Sequence, residues 1–357
     1  MRNLYLTVLL TFVFLTVLPS NSGAAISEQL LGQAKLATVW QNAVSLNPKE
    51  KIQKITVIGD YLYILTDSNY LFCLDRNTGQ LHFGIPVAIK NLPVSEPTVY
   101  NNTVYIVAAN NLVAIGLQQG AELYRKKMSF SVSAPAAVNA SHFYLAGMDK
   151  VLHVLDPNGE HENFKASADN KSVITSVLAT DRSVFFATQG GNIICMDTST
   201  PKRIWQFDAV GAIMTPLTGI SDWLYASGKD TNLYKLSAGS GEKMWEFHAG
   251  SALLTSARAT ETVVYQYAQG KGLYAIDANS GKQLWLLADG FDLLAQDNDT
   301  AYILDKNNIC TVMDNKQAKK TYTINFASVT SFAVNTYDSS IYIMEDKSIS
   351  CIKPIKK

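Results

Sequence analysis

No two of the four cysteines, Cys73, Cys195, Cys310 and Cys351, stand close together, and no C-x-x-C pair occurs. That removes zinc ribbons and dithiol redox centres. Neither sign of charge is in excess, since 30 Lys plus Arg face 30 Asp plus Glu. A nucleic-acid partner, which calls for a basic footprint, is therefore not expected. A G-x-S-x-G elbow, a P-loop and an H-E-x-x-H pair are also missing, and with them the commonest hydrolase, nucleotide-binding and zinc-protease signatures. The five histidines fall at unrelated positions with no ligand spacing, so no metal site is expected. Only one long apolar run exists, Leu4 to Leu18, and it falls short of the roughly 20 residues a spanning helix needs. Arg2 precedes it and Pro19 to Ala25 follow with small residues. That pattern reads residues 1–25 as a secretory signal peptide, with small residues at Ser22 and Ala24 or at Gly23 and Ala25 fitting the cleavage site equally well. No cysteine lies there to carry a lipid. The expected mature chain is periplasmic or secreted, soluble, not a lipoprotein, and without an integral membrane segment.

Aromatic and β-branched residues are plentiful, with Tyr at 17. The stretch Leu273 to Trp285, LYAIDANSGKQLW, reads as strand, tight turn, strand. Its turn residue Asp277 has counterparts at Asp75, Gly116, Asp156, Asp197, Ser237, Asp314 and Lys353. In chain order the spacings are 41, 40, 41, 40, 40, 37 and 39 residues. A period near 40 signals a propeller or solenoid. One column stands 11 or 12 residues before the turn: Tyr63, Tyr105, Tyr144, Phe185, Tyr225, Tyr265, Tyr302 and Tyr342. A second, eight residues after most of the turns, holds Phe83, Tyr124, Phe164, Trp205, Trp245, Trp285 and Tyr322. The last copy runs out of chain before that column, while Trp40 near the start has no first half in front of it. Joined, they make one blade, and such closure leaves no free sheet edge between the termini.

The expected fold is therefore all-β, an eight-bladed β-propeller of four-stranded blades, in which an N-terminal strand completes the last blade. Residues 26–357 form a single domain on this reading. Trp40, Phe83, Tyr124, Phe164, Trp205, Trp245, Trp285 and Tyr322 are the expected wedges between blades, each burial contributing about 2–3 kcal/mol. Cys73, Cys195 and Cys351 share a column with Ala114, Val154, Ala275 and Val312, which reads as packing and not as disulfide bonding. Turns of two to six residues are expected throughout, with polar turns on both faces.

The copies resemble the PQQ-like β-propeller repeat, whose pattern runs roughly A-x-D-x-x-T-G-x-x-x-W. AIDANSGKQLW (Ala275 to Trp285) follows it almost fully and CLDRNTGQLHF (Cys73 to Phe83) nearly so. KLSAGSGEKMW (Lys235 to Trp245) keeps the Gly and Trp, and CMDTSTPKRIW (Cys195 to Trp205) keeps the Asp and Trp. The resemblance implies one of two lives. Quinoprotein dehydrogenases hold PQQ and calcium on the axis and carry long excursions between strands, commonly with a disulfide of adjacent cysteines against the quinone. BamB-like members are scaffolds in outer-membrane protein assembly. The minimal copies and separated cysteines favour the scaffold: no catalysis, no cofactor, and an envelope or outer-membrane protein as partner of a monomeric propeller. The alternative is a ligand-binding or minimal quinoprotein use of the axial channel. The one dense acidic run, around Asp297 and Asp299, reads as a turn and not as a calcium site. No catalytic, cofactor, metal or interface residue is nominated.

Overall fold

The computed structural model describes residues 26–355, and the expected leader lies outside them. Eight antiparallel sheets of four strands follow one another around a ring. Blade 8 is the exception to sequence order. Its outermost strand, β1 (Leu36–Ala43), pairs with Ser348–Pro354, from Leu36 opposite Pro354 to Ala43 opposite Ser348. The chain then enters blade 1 as β2 (Ile52–Ile58), β3 (Tyr61–Thr66), β4 (Tyr70–Asp75) and β5 (Leu81–Pro86). The middle strands are apolar on both sides because each sheet is sandwiched between two others. In β4, for example, Leu71 to Leu74 are all buried.

A short helix, α1 (Glu28–Gln33), precedes β1, and the repeat gives no signal of it. Its first turn is capped by Ser27, whose Oγ accepts the Leu30 amide at 3.3 Å. Leu31 is fully buried among Ile324, Phe326, Val329 and Ile341, so the helix fills the seam between blades 7 and 8.

The strand order divides the molecule into two faces. One, here the turn face, carries the first-to-second and third-to-fourth hairpins of each blade. The other, the connection face, carries the second-to-third hairpins and the links from blade to blade. These links correct the expectation of uniformly short turns. Five of them run over 87–97, 128–136, 167–173, 209–217 and 249–257, against a few residues for most hairpins, while the links into blades 7 and 8 are only 288–289 and 326–328. Each travels from the outermost strand of one blade to the innermost of the next, and where the first strand of the new blade is itself long, as Gly290–Asp297 is, the strand covers that distance.

Candidate functional site

On the turn face one lock recurs. The Asp277 carboxylate accepts the Ser280 amide and hydroxyl, both at 2.7 Å, and the Gly281 amide closes the turn on the Asp277 carbonyl at 2.9 Å. A bulge between Ala275 and Ile276 aims the hairpin. Gly281 lies at φ +70°, and a Cβ there would meet the Trp245 ring of the preceding blade at 2.7 Å. The Trp245 indole N–H donates to the Ala278 carbonyl at 3.1 Å, and its ring packs on Tyr225 with centroids 5.8 Å apart. Thus the glycine and the tryptophan of the repeat meet between blades, not within one copy. Gly241 covers Trp205 and Gly120 covers Phe83 in the same way.

The expected wedge residues fall into two sets. Phe83, Trp205, Trp245 and Trp285 are buried, and the Trp205 and Trp285 indoles donate to Ala238 O and Asn315 Oδ1 at 2.9 Å. Trp40, supplied by the N-terminal strand, donates to Arg76 O at 3.1 Å and lies under Gly79. Tyr124 and Phe164 are only half-buried. Tyr322 is 40% exposed. Its neighbour is the closing blade, whose third strand, Ser348–Pro354, and fourth strand, β1, are not joined by a hairpin, so among the described residues no such turn covers the ring.

The connection face differs in chemistry. Val210 is 93% exposed and Ile89 79%, and Leu92, Met148, Met214, Leu254 and Phe291 are also exposed there. Met214 and Leu254 hold matching places in the links into blades 5 and 6, each directly after a fully buried anchor, Ile213 and Leu253. At the turn-face end Leu30, Leu81, Tyr337 and Ile355 are exposed, as are Leu123, Ile204 and Met244 near the starts of fourth strands, but none reaches the exposure of Val210 or Ile89. Polar turns on both faces were the expectation from the chain, and the connection face overturns it. The link AVGAIMTPL looks like strand sequence. Its buried anchor and its exposed Val210 and Met214 are indistinguishable without the fold.

The innermost strands line an axial lumen. Thr98, Thr175 and Thr218 donate their hydroxyls to Ala136 O, Ile213 O and Ala257 O at 2.6–2.8 Å, tying blade to blade around the axis. Two chambers, of about 690 and 560 Å³, share Glu96 in their walls. Lys54 pairs with Glu96 between blades 1 and 2, and Arg258 pairs bidentately with Asp292 between blades 6 and 7, at 3.0 and 2.9 Å. Burial pulls the Arg258 pKa down, yet Asp292 and, more weakly, Glu96 raise it overall.

The described residues offer no acidic cluster for the calcium of a quinone–calcium centre. Both lumen carboxylates in these pairs are committed to cations, and among the described residues no group of three His, Cys, Asp or Glu side chains could hold a metal ion. Asp297 and Asp299 flank the Asn298 turn on the turn face, and Asp299 pairs with Lys316 at 2.6 Å. The cysteines are unpaired and buried. Burial pushes the Cys195 and Cys351 thiols up to about 11, far from a reactive thiolate.

Two buried polar residues escape any sequence pattern. Lys235 stands in the Cys73 column, buried, its ammonium 4.1 Å over the Trp223 ring and donating to Ala278 O at 2.7 Å. His153, 3% exposed, stacks on Phe130 at 3.5 Å and holds Glu162 and Asp149 on its two ring nitrogens at 2.5 and 3.0 Å.

A family model described as outer membrane protein assembly factor BamB matches residues 29–117 and 109–318. No curated protein matches in sequence. Among solved structures, BamB from Moraxella catarrhalis superposes with a TM-score of 0.67 at 16% identity, covering 89% of this chain and 99% of that one. A computationally designed protein, Ika8, gives 0.67 at 14% identity over 88% and 98%. A chain of a mitotic checkpoint complex gives 0.57 at 9% identity over 98% and 99%. At such identities the structural likeness speaks for the fold.

Proposed function

The chain belongs to the PQQ-like propeller family described as outer membrane protein assembly factor BamB, and from that premise we propose that it is a non-catalytic scaffold of the cell envelope. Its connection face docks on an envelope or outer-membrane protein. The observation that carries this reading is that the most exposed apolar side chains, Val210 at 93% and Ile89 at 79%, both stand on links of the connection face. Met214 and Leu254 each project beside a fully buried anchor, Ile213 and Leu253, and Val210 stands three residues before the first of these. Apolar side chains grouped on one face and left in water mark an interaction surface more often than scattered ones do. Export by the apolar leader brings the protein to the compartment where such a partner resides, and it needs no cofactor there.

The test is a photo-crosslinking residue placed at Val210, and separately at Ser240 on the turn face, in cells producing the tagged protein. The expected result is an adduct with an envelope protein, identified by mass spectrometry, from position 210 and not from 240. Absence of any adduct at 210, or equal adducts from both faces, overturns the reading.

A further inference from the structure

Four charges, in two pairs that each bridge neighbouring blades, line the larger chamber of the lumen. Blades 2 and 6 stand opposite each other in a ring of eight, so Glu96 and Arg258 face one another across the axis. Read across the lumen, the order is Lys54, Glu96, Arg258, Asp292, alternating in sign. Lys54 and Glu96 keep 48% and 42% of their side chains accessible, and Arg258 and Asp292 keep 29% and 16%. Lys54 and Glu96 are half-exposed to the chamber, and such a pair adds little to stability. Arg258 and Asp292 lie deeper, where breaking a pair is costly. The hydroxyl-to-carbonyl bonds of Thr98, Thr175 and Thr218 join blades 2 and 3, 4 and 5, and 5 and 6, whereas the ion pairs stand at the seams of blades 1 and 2 and of blades 6 and 7 and also face the chamber.

We propose that the axial lumen binds a small zwitterion carrying both an ammonium and a carboxylate, an α-amino acid or short peptide with an apolar side chain. The larger chamber, about 690 Å³, is of the size that holds small molecules. Every charge in its wall already has an opposite partner. A ligand with a single charge would have to break a pair and strand one member, which is costly away from bulk water. A zwitterion set between Glu96 and Arg258 strands nothing: its ammonium meets Glu96 and its carboxylate meets Arg258, which keeps Asp292 behind it. Phe291, Phe332 and Tyr337 in the same wall offer apolar contact for the side chain. The site opens beside the proposed docking face at Phe291 but does not rest on that reading.

The experiment is calorimetric titration of the purified chain with free phenylalanine, with leucyl-phenylalanine, and with two blocked controls, N-acetyl-phenylalanine and phenylalanine amide. Saturable binding of at least one zwitterion is expected, weakened about tenfold or more in both controls. Comparing phenylalanine with the dipeptide distinguishes an amino-acid site from a peptide site. The double variant Arg258→Gln/Asp292→Asn should also weaken binding about tenfold. A second double variant, Lys54→Gln/Glu96→Gln, involves more exposed groups and tests the site even if the first fails to fold. No saturation by either zwitterion, equal binding of the blocked controls, or unchanged affinity in folded variants overturns the proposal.

Discussion

The two faces of this propeller are built on opposite principles. The turn face repeats one device: an Asp-capped hairpin, a glycine at positive φ, and an aromatic ring from the preceding blade beneath it. Its hairpin tips are largely polar, although Leu81, Tyr337 and Ile355 are exposed at that end. The connection face repeats only a buried anchor, such as Ile213 or Leu253, and lets the surrounding link vary in length and exposure. On the connection face the anchors Ile213 and Leu253 also pack between blades, and Ile213 O accepts the Thr175 hydroxyl. Only the residues beside the anchors are free of packing duties, and these can carry apolar side chains without endangering the ring.

Removing a lock should produce the largest loss of stability. Trp245→Ala deletes a buried ring together with its bond to Ala278 O, and urea unfolding should show a loss of about 3–5 kcal/mol. An effect under about 1 kcal/mol would mean that the turn face does not carry the stability assigned to it. The same substitution at the closing seam should be milder. Tyr322 is 40% exposed and has no covering hairpin, so Tyr322→Ala should cost about 1 kcal/mol, well below Trp285→Ala measured alongside. Equal losses would show that the seam is locked like the other blades.

How much of this contrast the chain reveals depends on whether the determinant is local. Asp277, Gly281 and Trp285 recur in a fixed window, so the turn, the period and the blade count are legible, as is the closure by Trp40. The partners within the lock are less so, because Gly281 covers Trp245 of the previous copy and not Trp285 of its own. The lumen is illegible. Innermost strands as short as Ala137–Val138 and Arg258–Ala259 leave no pattern, and Glu96 meets Arg258 only because blades 2 and 6 oppose each other. Lys235 defeats column reasoning for a similar reason: a Trp223 face from the neighbouring strand makes room for an ammonium where the column otherwise asks for small apolar residues.

Acid should separate the faces next, with a smaller effect than the deletions. The Ser280 hydroxyl and amide hold Asp277 below the usual carboxylate range, and the Ser199 amide and Thr200 hydroxyl do the same for Asp197. A carboxylate with a depressed folded pKa adds stability above its unfolded value, about 3.9, and loses it as the pH falls through the folded value. Hydrogen exchange of the turn-face amides, those of Ser199 and Ser280 among them, should therefore accelerate below about pH 4, before that of the 209–217 and 249–257 links. Simultaneous loss on both faces would indicate global unfolding and remove the distinction.

The smallest stability effect is the one that bears most on function. Val210→Asp with Met214→Asp places two carboxylates where Val210 is almost fully solvated and Met214 partly so, beside the buried anchor Ile213. Neither side chain belongs to a core cluster, so the unfolding midpoint should stay within the change typical of surface substitutions, about 0.5 kcal/mol. Crosslinking from a photo-reactive residue at Leu254, an exposed side chain at the matching place in the next link, should nonetheless disappear. An interface centre that excludes water cannot accept an unpaired carboxylate without a desolvation penalty. If crosslinking persists at an unchanged midpoint, the exposed apolar residues of the connection face are incidental. A joint fall of stability and crosslinking would mean instead that the residues beside the anchors also hold the ring, and the division of labour within the links would have to be redrawn.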